Sequence, residues 1–76
     1  MEIKINGIYK HFKGNKYKVL CIAYDSETLD ELVIYQALYA DMKIYARKKD
    51  NFLSKVDRNK YPNVSQEYRF QLEEGE

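Results

Sequence analysis

Tryptophan is absent from this sequence, and cysteine, histidine and proline occur once each, beside three glycines. A lone Cys21 excludes a disulfide scaffold, and one Cys with one His cannot supply the ligands of a typical structural zinc site. The glycines stand singly at positions 7, 14 and 75, so no glycine-rich phosphate loop is present. Asp25, Glu27, Asp30 and Glu31 lack the one-three-five spacing and central glycine of a calcium loop. Neither a metal nor a cofactor is therefore expected. No apolar run approaches the roughly 20 residues of a spanning helix, and no membrane partner is expected. Met1-Glu2-Ile3-Lys4-Ile5-Asn6 lacks the basic-then-apolar order of a signal peptide, which, with the unpaired cysteine, sets a cytoplasmic expectation.

What is present is a globular composition: 76 residues, 45% apolar and 33% charged, the length of one domain. Residues 1–72 are expected to form it, with 73–76 as a frayed acidic tail. Eight tyrosines and three phenylalanines suit half-buried strands and binding faces. The net charge of +1 hides blocks: +4 over residues 1–24, −5 over 25–41, +5 over 42–60 and −3 over 61–76. These blocks fit a solvated surface of alternating sign. They also fit a basic face drawn from Lys10, Lys13, Lys16, Lys18, Lys43, Arg47, Lys48 and Lys49.

The dominant period is two, which predicts strands over 8–12, 17–24, 32–39, 43–48 and 68–72. Gly14-Asn15 marks a hairpin turn. The second and third strands read as apolar on both faces, with Cys21 a buried small hydrophobe inside Val19-Leu20-Cys21-Ile22-Ala23. Thr28-Leu29-Asp30-Glu31 has capping-box spacing and predicts one helical turn, and Phe52, Leu53 and Val56 predict one or two more over 50–56. The expected fold class is all-β: a small five-stranded, strongly bent antiparallel barrel with a short helical turn near the C-terminus.

No catalytic constellation is legible. Tyr35 and Tyr39 share one face of a strand, and Tyr45 and Arg47 share the facing side of its neighbour. Tyrosines beside an arginine stack nucleobases or grip an extended peptide. The bland alternative is that these rings fill the interior and its rim.

Gly7-Ile8-Tyr9-Lys10-His11-Phe12-Lys13-Gly14-Asn15-Lys16-Tyr17, then Ser26-Glu27-Thr28-Leu29, Val33-Ile34-Tyr35-Gln36-Ala37-Leu38-Tyr39, Ile44-Tyr45-Ala46-Arg47 and finally Arg69-Phe70 together resemble the bacterial family known as domain of unknown function 1653. The resemblance spans about residues 7 to 70. It departs from the family pattern at Tyr45 (usually Trp), Lys48 (usually Pro) and Tyr68 (often Pro). It implies a small Src-homology-3-like β-barrel, brings His11, Lys13, Ser26, Glu27, Thr28, Tyr35, Tyr39, Arg47 and Arg69 into the candidate ligand set with Tyr45, and carries no established activity. The leading expectation is a non-enzymatic binding module whose ligand is a nucleotide or short single-stranded nucleic acid. The alternatives are a module for a protein or peptide partner, an accessory subunit, and a small hydrolase-type enzyme using Glu27 with Ser26 or His11.

Overall fold

The structure is a computed structural model that describes residues 2–73; residues 74–76 of the expected tail lie outside it. Five strands form one antiparallel sheet: β1 (Ile8–His11), β2 (Lys16–Tyr24), β3 (Glu31–Ala37), β4 (Ile44–Lys48) and β5 (Phe70–Leu72), in the order β4-β3-β2-β1-β5. A single-turn helix, α1 (Lys49–Phe52), follows β4 directly. The five antiparallel strands and the short helix are those the sequence predicts.

Closure is where the fold departs from the expected barrel. β4 and β5 remain edges of an open sheet. The sheet is nonetheless strongly bent. Four strand spacings of roughly 4.8 Å would separate β4 from β5 by about 19 Å if the sheet were flat. Instead the Arg47 guanidinium on β4 lies 5.5 Å from the ring centre of Phe70 on β5. A bulge in β2 between Val19 and Cys21 contributes to that bend.

Local chemistry explains the connections. Gly14 takes φ 109°, a conformation that side chains disfavour, and His11 and Asn15 close the β1–β2 turn with a 2.8 Å bond. Between β2 and β3 the helical turn expected at Thr28 is replaced by a loop built on Asp25. Its carboxylate accepts the N–H groups of Glu27 (2.8 Å) and Thr28 (3.1 Å), and its carbonyl accepts that of Leu29 (2.8 Å). Leu29 then turns to φ 64°, which stops a helix before it can propagate. β3 ends at Ala37 rather than Tyr39, because the connection to β4 passes through left-handed Ala40 and Met42.

The helix expected over 50–56 ends at Phe52. Ser54 turns its hydroxyl onto the Asn51 carbonyl at 2.6 Å, a local bond that competes with helix continuation. Val56 is still buried, through a pairing of its N–H with the Glu67 carbonyl at 2.9 Å. At the C-terminal end, Glu73 donates its N–H to Ile8 and pairs with Lys16 at 3.3 Å.

One face of the sheet carries the core: Tyr9, Val19, Val33, Tyr35, Phe52 and Phe70. Phe52, 1% exposed, stacks on Phe70 with ring centres 4.1 Å apart. The other face is open. Cys21 is exposed there, opposite Ile34, which corrects the expectation of a buried thiol and of strands covered on both faces. Among the described residues α1 is the one helix and it packs on the core-bearing side, so the second side stays half-buried to exposed.

Candidate functional site

The cross-strand register assembles one continuous aromatic surface on the core-bearing face. Tyr45 lies opposite Tyr35, Arg47 opposite Val33, Tyr17 opposite Tyr9 and His11 opposite Phe70. Tyr35 is buried at the centre, with Tyr17 and Phe70 meeting it edge-on at 5.3 and 5.4 Å and Tyr45 tilted against it at 5.7 Å. Tyr39 and Tyr45 are the accessible rings, 38% and 40% exposed. The hydroxyls of Tyr17 and Tyr39 bond at 2.8 Å. Burial and that bond raise the Tyr17 phenol well above the usual tyrosine range, so it stays protonated.

Cations border this surface. Arg47 donates from Nε to the Tyr35 hydroxyl (3.0 Å) and from a terminal nitrogen to Asn51 Oδ1 (2.5 Å). Arg69 donates from Nε to Ser54 Oγ at 3.0 Å. His11 lies between Phe12 (4.5 Å, stacked) and Phe70 (4.9 Å, edge-on), and its Nδ1 accepts the Lys13 N–H at 3.1 Å. Burial first, then the positive charges of Arg47, Arg69 and Lys13, push the His11 pKa from 6.5 down to about 4. Among the described residues none of those three cations forms an ion pair with a carboxylate. The site therefore joins exposed aromatic rings to positive charge that no described carboxylate pairs.

The structure brings His11, Lys13, Tyr35, Tyr39, Tyr45, Arg47 and Arg69 to this end of the sheet. It does not bring Ser26, Glu27 and Thr28 there. They occupy the β2–β3 loop, beyond the pair Tyr24–Glu31, whereas the aromatic end opens at the pair Tyr17–Ala37. That strand length corresponds to roughly 20 Å. Beside the loop, a cleft of about 360 Å³ is lined by Leu29, Asp30, Glu31, Lys48, Lys49 and Asp50. Its charges answer one another, Lys48 to Asp30 at 3.6 Å and Lys49 to Glu31 at 3.5 Å, so it offers a ligand little unspent charge.

Tyr17, Phe70, Asn51 and Ser54 are the residues that sequence reasoning left out of the site. Tyr17 is traceable in principle, since the Gly14 turn fixes which β2 residues face Tyr9. Asn51 and Ser54 carry no such signal: their contacts to Arg47 and Arg69 depend on where α1 docks. Among the described residues no three His, Cys, Asp or Glu side chains are grouped to hold a metal ion, and no helix is long and apolar enough to cross a membrane. No curated protein and no solved structure matches the chain. The model of one family, described as "Protein of unknown function (DUF1653)", matches residues 7–72, and the chain belongs to that family.

Proposed function

We propose that this protein is a small binding module that takes a nucleotide or a short single-stranded nucleic acid on the face formed by Tyr17, Tyr35, Tyr39 and Tyr45, with Arg47, Arg69, Lys13 and His11 along its border. The observation that carries this reading is the junction of two exposed tyrosines with three cations that have no carboxylate partner among the described residues. Tyr39 and Tyr45 offer ring faces to bases, and guanidiniums offer forked donors to phosphate. The strand order, with β5 returning to β1 after a helical turn, supports the Src-homology-3-like likeness, and a bacterial cytoplasm is the setting this reading assumes. In this reading Ser26, Glu27 and Thr28 are parts of a loop organised by Asp25 and do not touch ligand. An enzyme pairing Glu27 with His11 gains no support, because the two lie at opposite ends of the sheet.

The test is a nitrogen-15 amide titration with short RNA and DNA at low and then moderate salt. The expected result is shifts confined to Tyr17, Tyr39, Tyr45, Arg47 and their neighbours, weakening as salt rises. An unchanged spectrum at millimolar oligonucleotide overturns the reading. A peptide ligand has one observation in its favour: β4 is a free edge on which Ile44 is 60% exposed, open to an added strand. Binding that survives salt but is lost in Tyr45→Ala would select the peptide.

A further inference from the structure

We propose that the cationic end of this face is a subsite for a terminal phosphomonoester, held by Arg47, Arg69 and the Nε2–H of His11, so that the nucleotide or strand enters by its phosphorylated end. The inference rests on the reading above and adds to it the chemical group that anchors the ligand.

Both guanidiniums are fixed before any ligand arrives. Arg47 is held by Tyr35 and Asn51 and lies over the Phe70 ring at 5.5 Å. Arg69 is held by Ser54, whose own hydroxyl is bonded to the Asn51 carbonyl at 2.6 Å. One short segment at the end of α1 thus orients both. A guanidinium has five N–H groups. These contacts occupy the Nε of each and one terminal nitrogen of Arg47, leaving the other terminal nitrogen of Arg47 and both of Arg69 without a side-chain or backbone acceptor among the described residues. Donors already ordered lose little entropy on binding, which favours a tight anion contact.

His11 supplies the third donor. Its Nδ1 accepts the Lys13 N–H, which in a neutral ring puts the proton on Nε2. Burial first, and then the neighbouring positive charge, keeps the ring neutral at pH 7, so it presents an N–H and adds no further cation. Nε2 has no acceptor among the described residues, and His11 and Arg47 flank the same Phe70 ring.

The donor count selects the ligand. A phosphomonoester offers three terminal oxygens to three donor groups and carries close to two negative charges at pH 7. An internal phosphodiester offers two such oxygens and one charge. The charge of Arg47, Arg69 and Lys13, which no carboxylate pairs among the described residues, suits the dianion.

The experiment compares an RNA tetranucleotide with and without a 5′-phosphate, together with inorganic phosphate, by calorimetry and by the imidazole nitrogen spectrum of His11. The 5′-phosphate is expected to tighten binding by about tenfold or more, the scale of one charge-assisted hydrogen bond. That ratio falls towards one in Arg69→Gln and is reduced in Ser54→Ala, which frees Arg69 without removing it; thermal melts report whether each variant folds. Inorganic phosphate alone is expected to shift the His11 Nε2 resonance. Equal affinity for the two RNAs overturns the subsite while leaving the tyrosine-face reading standing. Binding of inorganic phosphate without either RNA keeps the subsite and overturns the nucleic-acid reading, and no binding of any probe overturns both.

Discussion

His11 shows how a single side chain reports on the whole cationic end. Its pKa falls from 6.5 to about 4 because the ring is partly buried and surrounded by Arg47, Arg69 and Lys13. The folded state therefore binds its proton less readily than the unfolded chain does. The resulting stabilisation is complete above about pH 6.5 and is lost as pH falls from there towards 4. Proton NMR of the imidazole is expected to give a midpoint near 4 in the folded protein; a midpoint near 6.5 would sink the account. Melting temperature against pH supplies the second check, since His11→Gln should flatten the decline between 6.5 and 4. At this scale the sequence revealed candidate residues without their surroundings. Tyr35, Tyr39, Tyr45 and Arg47 were legible because alternation in a strand decides which side chains share a face. Phe70 at the start of β5 and Arg69 just before it, which complete the environment of His11, lie nearly sixty residues away in the chain, and no local pattern encodes that meeting. Cys21 was misread because an apolar run says that a segment is in a sheet, not that both sides of that sheet are covered.

Among the elements, the β2–β3 hairpin separates a structural role from a binding one. The family-like Ser26-Glu27-Thr28 segment invites a functional reading, yet Asp25 does the loop's work. Its carboxylate accepts two backbone N–H groups, which hold its pKa below the usual carboxylate value. Asp25→Ala is expected to lower the melting temperature and to speed hydrogen exchange at the Glu27 and Thr28 amides, with ligand binding at the tyrosine face unaltered. Ser26→Ala, whose hydroxyl faces solvent, should change neither. If Ser26→Ala proves as costly as Asp25→Ala, the loop is not organised around Asp25. The strands themselves were legible to within a few residues, since period two and the Gly14 turn are local signals. The ends were less so, because they depend on left-handed residues: Leu29, Ala40 and Met42 are not glycines, and nothing in their identity announces φ between 53° and 64°.

For the whole molecule the open sheet raises the question of what holds its bend. A chain of 76 residues has a total stability of only about 4–11 kcal/mol. The five-stranded antiparallel class was legible from pattern, but closure was not: whether the edge strands pair or are bridged by side chains is settled by long-range packing. Here side chains bridge them. Phe52 from α1 meets Tyr9 at 5.4 Å and Tyr35 at 5.5 Å edge-on and stacks on Phe70 at 4.1 Å, tying the centre of the sheet to its β5 edge. Phe70 in turn supports Arg47 and His11. Truncating Phe52 to Ala should cost about 3–5 kcal/mol, a large share of the whole. In a domain of this size that corresponds to a fall in melting temperature of roughly 12 °C or more, or to loss of the cooperative transition. Phe52→Leu, which keeps most of the volume, should cost about half as much. Because the same ring props the cationic end, Phe52→Leu is also expected to move the His11 midpoint upward from about 4 towards 6.5 as water reaches the imidazole. A destabilised Phe52→Leu that retains the depressed His11 midpoint would mean that β5 is held against the sheet by something other than this plug.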